Sequence, residues 1–87
     1  MTLRGLDFDD LLLLKYLGQG LTLTESSRSL NLTQPAITTR VHKIEAAISK
    51  NIMDRTTRNR FLTPVGLLVC KIATEAIEVL NRIATDV

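Results

Sequence analysis

The sequence predicts a mainly α-helical fold with one short β-hairpin. Apolar residues recur at helical spacing in four segments, and the stretch between the third and fourth segments changes to short apolar runs around a polar loop. A threonine followed closely by a proline opens each of the last two helical segments, as is typical of helix N-termini. We therefore expect three helices, a two-stranded ribbon and a long fourth helix.

Length and composition indicate one small folded unit. The chain has 87 residues, of which 45% are hydrophobic, enough for one modest core. Its net charge of +2 permits a nucleic-acid partner without requiring one. Cys70, the only cysteine, has no partner for an internal disulfide, as is usual in a reducing cytoplasm. Because we find neither a signal-peptide pattern nor an apolar run of membrane-spanning length, we expect a cytoplasmic protein.

The first helix is predicted over residues 6–17. Its apolar residues form a wide band, which indicates packing against more than one neighbour. Asp7, Asp9 and Asp10 lie near its positive N-terminal end, and we expect these acids to interact with the helix dipole rather than to form a carboxylate site. The glycine-rich residues 18–20 end the helix.

Residues 24–48 have the pattern of two helices joined by a very short turn. The second helix is predicted over residues 24–30, with Leu23 placed for a hydrophobic-staple contact. Thr33 can cap the third helix, and Pro35 fits its first turn, where a missing N–H costs nothing. This is the helix-turn-helix pattern, in which the later helix can enter a DNA major groove.

The third helix, residues 34–48, has two different faces. The core-facing stripe consists of Ile37, Val41, Ile44 and Ile48. The opposite face consists of Pro35, Thr38, Thr39, His42, Lys43 and Ala46, with Arg40 at the boundary. A small, polar face with cations nearby suits close approach to base edges. An ordinary solvated helix face is the alternative.

A short basic hairpin is predicted after the third helix. Residues 52–55 and 61–63 would pair as strands around the loop 56–60, which contains Arg58 and Arg60 and no acid. Directly after a helix-turn-helix, such a hairpin is a wing that can reach phosphates or the minor groove. A solvated turn is the alternative. The predicted domain, residues 1–63, is thus a winged helix-turn-helix: three helices plus a two-stranded β wing.

Residues 64–87 are predicted as one long linker and dimerisation helix. A heptad seam for a partner helix consists of Val65, Val69, Ile72, Ala76, Val79 and Ile83. A second apolar stripe consists of Ala73, Ile77, Leu80 and Ala84. If one stripe rests on the domain and the other meets a second copy, a homodimer forms; the alternative is a single helix lying across its own domain. Because the pattern is still helical at the last residue, we expect a longer parent protein.

Residues suited to catalysis are not grouped in the sequence. His42 and Cys70, the only histidine and cysteine, belong to different predicted helices. Neither metal-ligand spacing nor a Gly-rich phosphate loop occurs. We therefore predict no enzyme, no metal and no cofactor.

The order of these motifs resembles the N-terminal domain of LysR-type transcriptional regulators. Residues 32–38, L-T-Q-P-A-I-T, are similar to the family's V-[ST]-Q-P-[AP]-[LV]-S. The resemblance continues through Ile44-Glu45 (L-E in the family), residues 52–55 (L-F-E-R), the wing residue Arg58 and the L-T-x-x-G motif of residues 62–66. It covers nearly the whole chain in order.

The resemblance implies a bacterial winged helix-turn-helix followed by a linker helix that pairs two subunits. Full-length members carry an effector-binding domain of periplasmic-binding-protein type, usually form tetramers, and bind pseudo-palindromic, AT-containing sites near promoters. By carry-over, the residues that face the major groove are Gln34, Pro35, Ala36 and Thr38, and Arg58 faces the minor groove. The chain departs from the family at Ser26-Ser27 (often Ala-Ala), Thr39-Arg40 (commonly Arg-Gln) and Ser49 (often Gly).

The resulting prediction is sequence-specific binding of double-stranded promoter DNA by a homodimer. Base contacts are expected from Gln34, Pro35, Ala36, Thr38, Thr39 and Arg58. Phosphate contacts are expected from Thr33, Arg40, Lys43 and Arg60. Two other classes remain open, namely a winged-helix protein-interaction module and a dimerisation module, neither of which binds DNA.

Overall fold

The computed structural model describes residues 3–54 and 62–87, which form four helices. They are α1 (Phe8–Gly18), α2 (Leu23–Leu30), α3 (Gln34–Ile48) and α4 (Pro64–Asp86). The prediction of a mainly helical chain is thus confirmed.

The predicted two-stranded ribbon is not formed within the described residues. The only β feature there is a single antiparallel bridge between Met53 and Leu62. The loop 56–60, with the predicted contact residues Arg58 and Arg60, lies outside the described residues. The bridge still places Met53 and Leu62, which lie before and after the predicted loop, next to each other.

Each helix begins at a residue whose side chain accepts a backbone hydrogen bond. Asp7, Thr22, Thr33 and Thr63 accept from the N–H three residues further on. The caps at 33 and 63 are those predicted, but two predicted starts are wrong. Helix α1 begins two residues later than predicted because the Asp7 side chain caps it. Helix α2 begins one residue earlier because Thr22 forms a capping box with Glu25, so that Leu23 lies inside the helix and not at a staple position.

Two helices end at non-glycine residues in the left-handed region. Asn31 ends α2 with φ 55°, and Ser49 ends α3 with φ 57°. Asparagine tolerates this conformation comparatively well, whereas serine does so at a cost. Ser49 therefore adopts, with some strain, the left-handed conformation at the end of α3 that glycine would adopt more easily.

One core joins α1, α3, α4 and the segment after α3. Its fully buried side chains include Leu13, Leu14, Ile37, Ile44, Ile52 and Cys70. The predicted core stripe of α3 is confirmed at Ile37, Val41 and Ile44, and Ile48 is half-buried against the same cluster. Gly18 lets α1 approach α4 closely, because a Cβ there would lie 2.9 Å from the Cβ of Cys70.

The first turn of α4 is fastened to the segment that follows α3. The Thr63 N–H donates to the Ile52 carbonyl at 2.9 Å, and Thr63 Oγ1 donates to the Asn51 carbonyl at 2.7 Å. A Cβ on Gly66 would lie only 2.1 Å from the Ile52 carbonyl oxygen. Only glycine allows this approach, which is the physical reason for glycine in the L-T-x-x-G motif.

Helix α4 buries one stripe and exposes another. Gly66, Cys70, Ala73 and Ile77 face the domain. The residues of the predicted partner seam are exposed at Val65, Ile72, Val79 and Ile83 and half-buried at Val69 and Ala76. Of the second stripe, Ala73 and Ile77 are buried, whereas Leu80 is 42% exposed. Within residues 3–54 and 62–87, no helix combines the length and apolar character needed to cross a membrane.

Candidate nucleic-acid interface

The α2–α3 turn holds the two helices in a fixed relation. The Leu32 N–H donates to the Ser27 carbonyl at 2.9 Å, and the Asn31 N–H donates to the Arg28 carbonyl at 3.1 Å. The left-handed Asn31 reverses the chain between them. These contacts make a helix-turn-helix with α3 as its second helix.

The N-terminal turn of α3 presents small polar groups to solvent. Thr33 Oγ1 accepts from the Ala36 N–H at 3.2 Å. Gln34, Pro35 and Thr39 are exposed, whereas Ala36 and Thr38 are half-buried. Their exposure and small size allow another surface to approach the start of α3 closely.

Two hydrogen bonds define how these polar groups are presented. Thr39 Oγ1 donates to the Pro35 carbonyl at 3.0 Å, which leaves its lone pairs to accept a hydrogen bond. Gln34 Nε2 donates to Thr24 Oγ1 across the turn. Thr24 was not predicted as a site residue, because a contact between side chains of different helices leaves no periodic signal in the sequence.

An acidic group on α1 meets the two cations of α3. We call this the charge cluster; its members are Asp7, Asp9, Asp10, Arg40 and Lys43. Arg40 Nη1 lies 2.8 Å from Asp7 Oδ1 and 3.0 Å from Asp10 Oδ1, and Arg40 Nη2 lies 3.8 Å from Asp9 Oδ2. Lys43 Nζ lies 2.6 Å from Asp10 Oδ2. As predicted, these acids open α1, with Asp7 as N-cap and Asp9 and Asp10 in the first turn. Asp10 is also fully buried and pairs with both cations, which the sequence did not predict.

The cluster shifts the pKa values of Asp7 and Arg40 in the direction that favours their charged forms. Burial alone would raise the pKa of Asp7, but its hydrogen bonds from the Asp10 backbone and from Arg40 outweigh this and lower that pKa. Burial would likewise lower the pKa of Arg40, whereas hydrogen bonds to Asp10 and Asp7 raise it. Arg40 therefore stays charged, and three acidic side chains lie close to the two basic side chains Arg40 and Lys43. This flank of α3 is consequently less electropositive than the sequence suggested.

Arg40 and Lys43 nevertheless remain accessible. Their side chains are 21% and 37% exposed, and together with Ala36 and Thr39 they line a shallow open depression on α3. The predicted phosphate role of these two cations thus competes with their bonds to α1.

Glu45 connects α3 to the segment that directly follows it. Its side chain is buried, and Oε2 accepts from the Ile52 N–H at 2.9 Å. A buried carboxylate on a backbone N–H makes a strong, charge-assisted bond. This gives the glutamate of the L-E motif a structural role that sequence reasoning did not assign.

The structure combines a helix-turn-helix, whose second helix has an exposed N-terminal turn, with a long helix that carries an apolar outer stripe. This combination is typical of the helix-turn-helix DNA-binding proteins. A family model described as "Bacterial regulatory helix-turn-helix protein, lysR family" matches residues 8–67. The chain belongs to this family of bacterial transcriptional regulators.

Curated relatives agree with this assignment. Uncharacterised HTH-type transcriptional regulators of Mycobacterium bovis and Mycobacterium tuberculosis are each 39% identical to the chain over 62 residues, which is 71% of this chain. The matched part is only 20% of each relative's length. The chain therefore corresponds to a small part of these proteins.

Solved structures of the family share the fold. The DNA complex of Vibrio fischeri DarR, described as an LTTR family member, superposes with a TM-score of 0.82 at 21% identity, covering 94% of this chain and 28% of that one. The complex of CbnR_DBD with DNA gives 0.81 at 21% identity, covering 93% of each chain. The complex of BenM_DBD with catB site 1 DNA gives 0.81 at 15% identity, covering 92% and 89%.

Proposed function

We propose that the chain is the sequence-specific DNA-binding part of a lysR-family regulator, with α3 in the major groove of double-stranded DNA. The observation that carries this proposal is the small, polar N-terminal turn of α3, where Gln34, Pro35 and Thr39 are exposed at the start of the second helix of a hydrogen-bonded helix-turn-helix. Structural neighbours solved as complexes with DNA support it. Residues 1–63 would form the DNA-binding unit and residues 64–87 the linker helix.

The base contacts follow from the groups that α3 presents. Gln34 would bind adenine through two hydrogen bonds, and Pro35 and Ala36 would contact thymine methyl groups. Thr39 gives its hydroxyl hydrogen to the Pro35 carbonyl, so it would accept from an adenine or cytosine amino group. Thr38 would serve the neighbouring base edge.

The phosphate contacts would flank these base contacts. Thr33 and the Gln34 N–H at the start of α3 would bind one phosphate, since Pro35 has no N–H and the Ala36 N–H is bonded to Thr33. Arg40 and Lys43 carry more N–H donors than their acidic partners occupy, and would share them with the backbone. In the hairpin, Arg60 would contact a phosphate and Arg58 would enter the minor groove.

The exposed stripe of α4 would pair with the same stripe of a second copy. Ile72, Val79 and Ile83 are 54%, 61% and 64% exposed, and an isologous dimer would cover them. Two recognition helices would then read half-sites about one helical turn apart. The full-length protein would form tetramers on pseudo-palindromic promoter sites in the cytoplasm, where its target DNA lies.

The charge cluster favours one second candidate, a helix-turn-helix that mediates protein interaction or dimerisation without binding DNA. Its three carboxylates offset Arg40 and Lys43, which removes two of the expected phosphate-binding charges. This candidate predicts no salt-sensitive DNA binding.

Site selection from random double-stranded DNA, followed by mobility-shift titration at several salt concentrations, distinguishes the two candidates. The DNA-binding proposal predicts a recovered consensus, competition only by that sequence, and an affinity that falls steeply with salt. Gln34→Ala should relax the preference at one base pair per half-site. Absence of binding at low salt would refute the proposal and favour the second candidate.

A further inference from the structure

We propose that Thr24 is a specificity-determining residue, because it holds the Gln34 amide in the orientation that reads adenine. This inference rests on the proposed function, since it concerns how α3 reads one base pair. The Gln34 Nε2–Thr24 Oγ1 hydrogen bond joins the first turn of α2 to the first residue of α3. Both side chains are exposed, so the bond lies on the surface that would face DNA in the proposed complex.

The α2 backbone holds Thr24 in place. On its two sides, Thr22 and Glu25 exchange hydrogen bonds of 2.9 and 3.0 Å in the capping box. The buried Ser27 donates its hydroxyl to the Thr24 carbonyl at 2.6 Å. A β-branched side chain on such a backbone has few rotamers, so Thr24 Oγ1 is a well-placed acceptor.

The remaining groups of the Gln34 amide match adenine. A glutamine amide has two N–H donors and one accepting oxygen. With one N–H bonded to Thr24, the other N–H and Oε1 are left, and these are the groups that bind adenine N7 and N6–H2. Without Thr24, the long side chain would have to be ordered when DNA binds, and the amide would be free to turn over. Thr24 thus favours adenine before contact is made.

The test measures discrimination at the base pair that Gln34 reads, as identified by Gln34→Ala. Affinities for the selected site and its single-base variants are compared for the unchanged protein, Thr24→Val, Thr24→Ser and, as a control, Ser29→Ala on the same helix. Thr24→Val should reduce discrimination at that base pair by about tenfold and leave the other positions unchanged. Thr24→Ser should restore it, and Ser29→Ala should have no effect. In a protein that already carries Gln34→Ala, Thr24→Val should cause no further loss of discrimination at that base pair.

Each contrary outcome has its own meaning. An equal loss of affinity on all sequences that persists in the Gln34→Ala background would overturn the inference and make Thr24 a phosphate contact. An unchanged profile for Thr24→Val would overturn it while leaving the proposed function intact, whereas failure of the unchanged protein to select any sequence would overturn both.

A second measurement tests the hydrogen bond without DNA. In the free protein, one of the two Gln34 Nε2 protons should resonate downfield in NMR spectra, and this shift should persist in Thr24→Ser but vanish in Thr24→Val. Helical circular dichroism of each variant verifies that the fold is retained. Absence of the downfield proton in the folded, unchanged protein would refute the contact.

Discussion

Replacing Asp10 by alanine should destabilise the junction between α1 and α3 more than any other single change in the charge cluster. The fully buried Asp10 carboxylate accepts from the Asp7 N–H at 2.9 Å and lies 3.0 and 2.6 Å from the nitrogens of Arg40 and Lys43. Loss of the hydrogen bond that Asp10 accepts from the Asp7 N–H in the capping box costs about 1 kcal/mol. Breaking a buried ion pair costs about 3–5 kcal/mol, but both cations are partly exposed and can regain water, so we expect a total of about 2–3 kcal/mol.

Urea unfolding followed by circular dichroism measures this loss. For a chain of this size with a slope of about 1 kcal/mol per molar urea, the midpoint should fall by about 2–3 M. Asp10→Asn keeps an accepting oxygen and should lose less. Asp9→Asn is the matched control: its side chain is 50% exposed and 3.8 Å from Arg40, so we expect less than about 0.5 kcal/mol. If Asp10→Ala unfolds no more easily than Asp9→Asn, the buried pairs do not stabilise the protein and the reasoning is wrong.

Four further predictions follow from individual residues. Ser26 Oγ is buried and has no hydrogen-bond partner among the described residues, so Ser26→Ala should raise the free energy of unfolding by about 1 kcal/mol; a decrease would show that the hydroxyl is bonded. Ser49→Gly should stabilise the end of α3 by about 1 kcal/mol because it relieves the positive φ, whereas Ser49→Ala should not, and equal effects would exclude strain as the cause. The pKa of Asp7 is below its ordinary value of 3.8, so its contribution to the free energy of unfolding is complete above pH 3.8 and is lost as the pH falls through the lowered pKa. Asp7→Asn should therefore make the unfolding midpoint depend less on pH in this acid range. An unaltered pH dependence would contradict the assignment. Burial raises the pKa of Cys70 to about 11, so iodoacetamide should modify the thiol far more slowly in the folded protein than in urea at pH 8, and similar rates would show that the α1–α4 contact opens readily.

Features that depend on local sequence could be predicted well. Thr33 and Thr63 cap helices because their hydroxyls reach backbone N–H groups only three residues away. The core stripe of α3 follows from helical spacing, which repeats along one face. The capping-box pattern from Thr22 to Glu25 is also local, and it marks the start of α2 one residue before the predicted start at Thr24.

Features that depend on contacts between helices could not be predicted. An aspartate in the first turn of a helix has the same sequence signature whether it faces solvent or, like Asp10, is buried against two cations. The pairing needs the crossing geometry of α1 and α3, which no spacing within one helix encodes. The Thr24–Gln34 bond was missed for the same reason, since its partners belong to different helices. The exposed stripe of α4 was predictable from its heptad pattern, although its pairing with a second copy remains a proposal.

The close approach of Gly66 to the Ile52 carbonyl has a mechanical consequence. Ile52 is bonded on one side to the start of α4 and on the other to Glu45 of α3, so no flexible joint separates the two helices on this path. A helix of 23 residues is about 35 Å long, and a tilt of about 5° displaces its far end by about 3 Å. In the proposed dimer, a small change in the angle between the paired α4 helices would therefore move the two recognition helices relative to each other by ångströms, enough to alter which half-site spacing they fit.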